Sequence, residues 1–116
     1  MKSGINRGDI VLGSLEPVLG SEQGGIRPLL IIQDNTLNMH SPTTIVAPIT
    51  TKVYSKEYPT NVQIFPGHSG LKKESTILLN QIRTIDKRRI IKKIGQVDFG
   101  IINKVDMAIK ISLGLD

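Results

Sequence analysis

The chain has 116 residues, 39% hydrophobic and 22% charged, and its longest unbroken apolar runs are four residues, as at Leu29–Ile32. This is the make-up of a single globular domain, 1–116, and it excludes a disordered chain and a membrane-spanning helix. There is no cysteine, which excludes a disulfide scaffold, a thiolate metal site and a cysteine nucleophile.

Taken in chain order, short apolar runs alternate with turn signals. Asp9–Leu15 reads as a strand. Glu16–Arg27 is a link of about ten residues, far longer than the usual hairpin loop. Pro28–Gln33 is a continuous apolar run, as in a strand buried on both faces, and Asp34–Asn38 is a turn cluster. Thr43–Thr51 is a β-branched strand interrupted by Pro48. Asn61–Phe65 alternates, Pro66–Gly70 turns, and Thr76–Thr84 is a further strand. After a turn around Asp86, Ile90–Val97 is a weaker strand. From Asp98 the period changes: Ile101, Ile102, Val105, Ala108, Ile109 and Leu113 form one helical stripe, with Asp98 as N-cap and Gly114 as stop. The fold expected is mainly β (α+β), a small, strongly curved antiparallel sheet or barrel carrying a C-terminal helix.

The formal net charge is +5, and its excess lies in the second half: residues 1–59 carry five Lys/Arg and five Asp/Glu, residues 60–116 ten and five. That placement points to an anionic partner, nucleic acid first, with a solvated basic face as the plain alternative. The first nine residues lack an apolar signal core, so a cytoplasmic protein without a membrane partner is expected. The histidines, His40 and His68, sit in turn-like stretches without neighbouring carboxylates, which favours solvated side chains over an acid/base pair. The acidic residues are scattered and form neither D-x-D nor E-x-x-H, so neither a metal nor a cofactor is expected. Gly20–Gly25 is glycine-rich, but its spacing is not that of a phosphate loop and a strand follows it.

Other residues stand out. The long link carries Ser21, Glu22 and Gln23, polar groups suited to reading base edges if the link is not merely a floppy tip. Arg27 precedes Pro28, which holds it extended, and its fork suits a phosphate. Thr50 and Thr51 follow Pro48, at which side chains are re-aimed. Alternation in Thr76–Thr84 places Gln81 and Arg83 on one face, able to line a groove. Five of the seven positions 87–93 are basic, a candidate phosphate track. Tyr54, Tyr58, Phe65 and Phe99 are the only aromatics, too few for a broad base-stacking platform.

Taken together and in order, Arg7-Gly-Asp-Ile-Val, G-S-E-Q-G-G-I-R-P at 20–28, I-V-A-P-I-T at 45–50, L-L-N-Q-I-R-T-I-D at 78–86 and K-V-D-M-A-I-K-I-S-L-G-L at 104–115 resemble the MazF/PemK toxin endoribonucleases, most closely the Gram-positive-type MazF group. The resemblance implies an SH3-like barrel, a homodimer, metal-independent cleavage of single-stranded RNA at short sequences, and neutralisation by a small MazE-like antitoxin. It puts the catalytic pair at Arg27 and Thr50, the loop shaping the RNA site at Ser21, Glu22 and Gln23, and a groove-lining position at Gln81; Thr51 and Arg83 are added as RNA-binding candidates. Asn80 and Met39–His40 depart from the family's pattern, which leaves the recognised RNA sequence open; similar members prefer a U-A-C-containing site. In such chemistry the ribose 2′-OH attacks the adjacent phosphorus while Arg27 and Thr50 neutralise the charge that develops. Two alternatives remain: a CcdB-like gyrase-inhibiting toxin on the same fold, and a non-catalytic RNA-binding module.

Overall fold

Alternation along the first two strands sets the architecture. The computed structural model describes residues 4–67 and 69–116, so His68 lies outside the described residues. In β1 (Asp9–Ser14) and β2 (Ile26–Ile31), successive apolar residues divide between two cores. Ile10 and Leu30 join one; Val11, Leu29 and Ile31 join the other. Leu29–Ile32 is therefore buried on both faces, as an unbroken apolar run requires.

A short helix, α1 (Asn35–His40), follows β2 where the sequence suggests only a turn. Asp34 caps it by accepting the Thr36 N–H at 2.9 Å. The buried Asn38 fixes it in place: it accepts from Gln33 and Thr44 at 3.0 and 2.7 Å and donates to the Gln33 carbonyl at 2.9 Å. An unpartnered amide at that depth would cost a few kcal/mol, so this network selects the helical turn.

β3 (Thr43–Thr50) is the centre of the sheet, followed by β4 (Asn61–Ile64), β5 (Ser75–Leu78), β6 (Arg83–Asp86) and β7 (Ile90–Gln96). The order is β4-β5-β3-β2-β1-β7, all antiparallel, with β6 also on β3. The single strand expected over Thr76–Thr84 is thus two strands sharing one edge of β3. Thr43–Val46 pairs with β6 and Ile49–Thr50 with β5. Carrying the β6 register forward would set Ile49 against Asn80. It meets Ile77 instead, so 80 − 77 = 3 residues are looped out beside Pro48.

The C-terminal helix, α2 (Phe99–Leu113), has the expected caps: Asp98 accepts the Ile101 N–H at 2.9 Å, and Gly114 adopts the left-handed conformation at φ 71°. Val105 and Ala108 are buried against the first core. Arg7 ties the start of the chain to α2 through Asp106 at 2.5 Å.

The sheet is an open, curved one rather than a closed barrel: among the described residues no ladder joins β4 to β7. Backbone contact brings the ends together instead. A Cβ on Gly70 would lie 1.8 Å from the Ile94 carbonyl oxygen, and one on Gly95 would lie 2.1 Å from that of Ser69. Only two glycines allow these segments to touch.

Candidate active site

Arg27 is the second residue of β2 and is half-buried. Its Nε donates to the Gly24 carbonyl at 2.8 Å and its Nη1 to the Ile49 carbonyl at 3.2 Å. β2 pairs with β3 as far as Leu29↔Pro48, and carrying that register two residues further sets Arg27 opposite Thr50. Thr50 Oγ1 accepts the Lys52 N–H at 3.2 Å. Among the described residues, Nη2 of Arg27 has no acceptor and the Thr50 hydroxyl proton has none. Two donors are therefore held ready on adjoining strands. An anion is what such a pair suits.

The long link is a braced loop, not a floppy tip. The Glu16 carboxylate accepts the Gly25 N–H at 2.5 Å, and Gly25 accepts the Leu15 N–H at 3.0 Å, joining the two ends. Glu22 accepts the Leu19 N–H at 2.7 Å. The Gln23 N–H donates to Gln81 Oε1 at 2.8 Å. Arg83 Nη1 donates to the Leu15 carbonyl at 3.1 Å, and Arg89 donates to the carbonyls of Ser14 and Glu16. Positive φ at Gly25 (76°) turns the chain back into β2.

Ser21, Glu22, Gln23, Gln81 and Arg83 all line one groove of about 860 Å³, with Pro48 and Ile82 among its apolar walls. The meeting of Gln81 and Arg83 does not come from strand alternation, as the sequence suggests. Gln81 lies in the looped-out turn, where its N–H donates to the Leu78 carbonyl at 3.2 Å, and Arg83 opens β6. Arg27 and Thr50 lie outside this lining, two positions beyond the paired Leu29 and Pro48. Thr51 is exposed past the end of β3 and does not line the groove. Asn80 also lines it; the sequence reads Asn80 as part of an unbroken strand, and only the looped-out turn brings it to the groove beside Gln81.

The basic run at 87–93 is largely engaged by its own chain. Lys87 donates to the Asn38 carbonyl, Lys93 pairs with Asp9 at 3.2 Å, and Arg88 pairs with Asp86 at 3.0 Å. Hydrogen bonds from the Arg88 side chain and N–H hold the Asp86 carboxyl down at about 2. A continuous phosphate track along this run is not what the structure builds. His40 ends α1 and is exposed. Among the described residues no three His, Asp or Glu side chains converge as a metal site.

Known proteins share this architecture and sequence. Residues 6–113 match the family described as PemK-like, MazF-like toxins of type II toxin–antitoxin systems. Endoribonuclease EndoA of Bacillus subtilis strain 168 is 49% identical over 111 residues, 96% of each chain. A crystal structure of MazF from Deinococcus radiodurans superposes with a TM-score of 0.81 at 26% identity, covering 96% of this chain and 97% of that one. An endoribonuclease in complex with its cognate antitoxin, from a mycobacterial species, gives 0.81 at 25% identity, covering 97% and 98%. With the match running through the whole described sheet and α2, the chain belongs to the PemK-like, MazF-like toxins of type II toxin–antitoxin systems.

Proposed function

We propose that this toxin is an endoribonuclease that cleaves single-stranded RNA at a short recognised sequence, with the ribose 2′-OH as nucleophile and without a metal ion. The observation that carries the reading is the placement of Arg27, bonded to the Ile49 carbonyl, next to Thr50 where the β2–β3 register runs out, beside the polar groove. A strand lying there brings a phosphate against both donors. The O2′–P bond forms, the P–O5′ bond breaks, the 2′-OH gives up its proton and O5′ gains one. Arg27 and the Thr50 hydroxyl stabilise the charge on the non-bridging oxygens. A guanidinium is a donor and not a base near neutral pH, so Arg27 serves charge rather than proton removal. Ser21, Glu22, Gln23, Gln81 and Arg83 line the groove where neighbouring bases would be read, and Thr51, exposed beyond β3, contacts RNA outside that lining.

The dimer and the antitoxin belong to the same proposal. The toxin works as a cytoplasmic homodimer and is neutralised by a MazE-like antitoxin that covers the RNA groove. The mycobacterial relative solved with its cognate antitoxin supports the second part. Exposed apolar side chains on α2, among them Met107 and Ile111, support the first.

The test is cleavage of a long RNA and of a U-A-C-containing oligonucleotide in EDTA, with fragment ends read by mass spectrometry. A 2′,3′-cyclic phosphate (or its opened 3′-phosphate) and a 5′-OH are expected. One deoxyribose immediately 5′ of the scissile phosphate should block cutting. Fragments with 5′-phosphates, as metal-activated water usually leaves, would overturn the mechanism.

A further inference from the structure

Thr50 is the last residue of β3, and the ladder to β5 stops there, at Thr50↔Thr76. Two residues on, the backbone of Lys52 is held by two threonine hydroxyls. Its N–H donates to Thr50 Oγ1 at 3.2 Å, and its carbonyl accepts the Thr76 hydroxyl at 2.9 Å. Among the described residues these are the only hydrogen bonds that the Lys52 backbone makes. Thr50 is half-buried at the open end of its strand. Thr76 is only 4% exposed, so any part it has in the reaction is not contact with substrate.

The arrangement constrains how the Thr50 hydroxyl can act. A hydroxyl has one proton and two lone pairs. With one lone pair taken by the Lys52 N–H, the O–H bond is directed away from that N–H, and its proton is left for another acceptor. The constraint lasts only while Lys52 keeps its place. The β3 ladder does not hold it there, because pairing ends two residues earlier. The Thr76 hydroxyl does. We propose that Thr76 is a positioning residue for RNA cleavage: it anchors Lys52, and Lys52 in turn orients the Thr50 hydroxyl toward the phosphate. The inference rests on the endoribonuclease reading, with Thr50 as a donor to the reacting group. The plain alternative is that Thr76 only satisfies the Lys52 carbonyl and steadies the strand end. The two differ in one respect: a positioning role acts through Thr50 and vanishes without it.

Thr76→Val keeps the branched shape and removes the hydroxyl. It should lower kcat about tenfold with KM nearly unchanged, because a misdirected donor loses charge stabilisation in the transition state rather than substrate binding. Thr76→Ser should restore most of kcat. In a Thr50→Val background, Thr76→Val should cost nothing further, since the hydroxyl it orients is gone. Circular dichroism checks the fold of each variant. Hydrogen exchange at the Lys52 amide should be slow in wild type and fast in Thr50→Val, and it decides the matter if Thr76→Val does not fold. Three results overturn the positioning role while wild-type cleavage leaves the endoribonuclease reading intact. They are a folded Thr76→Val with wild-type kcat, a loss that persists in full in the Thr50→Val background, and a Lys52 amide that exchanges freely in wild type. A wild-type protein that cuts no RNA in EDTA fails the endoribonuclease reading itself, and the positioning role with it.

Discussion

The backbone N–H of Gln23 donates to the side-chain oxygen of Gln81, 2.8 Å away and 58 positions along the chain. This bond joins the β1–β2 loop to the turn looped out between β5 and β6, and so closes the two sides of the polar groove. Gln81→Ala should cost only about 1 kcal/mol of stability, as expected for one hydrogen bond. RNA binding should weaken more than turnover, and hydrogen exchange at the Gln23 amide should rise. Gln81→Glu keeps the acceptor and should keep that amide protected. Unchanged exchange in the Ala variant would show that the loop is held elsewhere.

Arg27→Ala should reduce the cleavage rate about 10²–10³-fold while the protein stays folded, the usual cost of one lost donor to a developing anion. Arg27→Lys should recover little. An ammonium is a point donor and does not reproduce a fork that spans the Gly24 and Ile49 carbonyls while leaving Nη2 available. Single-turnover cleavage beside a thermal melt checks both variants.

Glu16 acts at one remove. Its carboxylate holds the Gly25 N–H, and the adjoining Gly24 carbonyl holds Arg27 Nε. Glu16→Ala should lower kcat by several-fold through misplacement of Arg27. Glu16→Gln, which retains a carbonyl acceptor, should restore most of it. Equal kcat values for the Ala and Gln variants would remove Glu16 from the chain of positioning contacts.

Asp86 makes a pH prediction with a definite sign. Its folded pKa is about 2 against an ordinary 3.8, because Arg88 stabilises the charged form. A depressed carboxyl contributes stability above its unfolded pKa and loses it as pH falls through the folded one. The melting-temperature advantage of wild type over Asp86→Asn should therefore be constant above about pH 5 and should shrink between about pH 4 and pH 2. Growth of that advantage on acidification would contradict the Asp86–Arg88 assignment.

Much of this molecule can be read from local chemistry. Arg27 ahead of Pro28, the β-branched run ending at Thr50, and the cap pair Asp98 and Gly114 are properties of a few adjacent residues, and each lies where the sequence places it. The rest depends on register. Leu78-Leu79-Asn80-Gln81-Ile82 reads as unbroken strand, and only its partner β3, with Pro48 unable to donate to a ladder, ejects it as a turn. The helix α1 is selected by the burial of Asn38 among Gln33 and Thr44, which no window of sequence displays. Tyr54, Tyr58 and Phe65 meet because β4 runs beside β5 and under α2, a consequence of topology alone.

The join between Ser69–Gly70 and Ile94–Gly95 has a mechanical consequence. Elsewhere the curved sheet is held by ladders, but among the described residues no hydrogen bond crosses this line. It is held by touching backbone at Gly70 and Gly95, with the flanking Leu71 and Ile94 side chains packed on the first core. Such a seam is where a sheet parts with the least loss, so the molecule has a built-in parting line that can spring without melting either ladder beside it. The Arg27–Thr50 pair lies on β2 and β3, each with ladder partners on both sides, so breathing at the seam leaves the two donors in register.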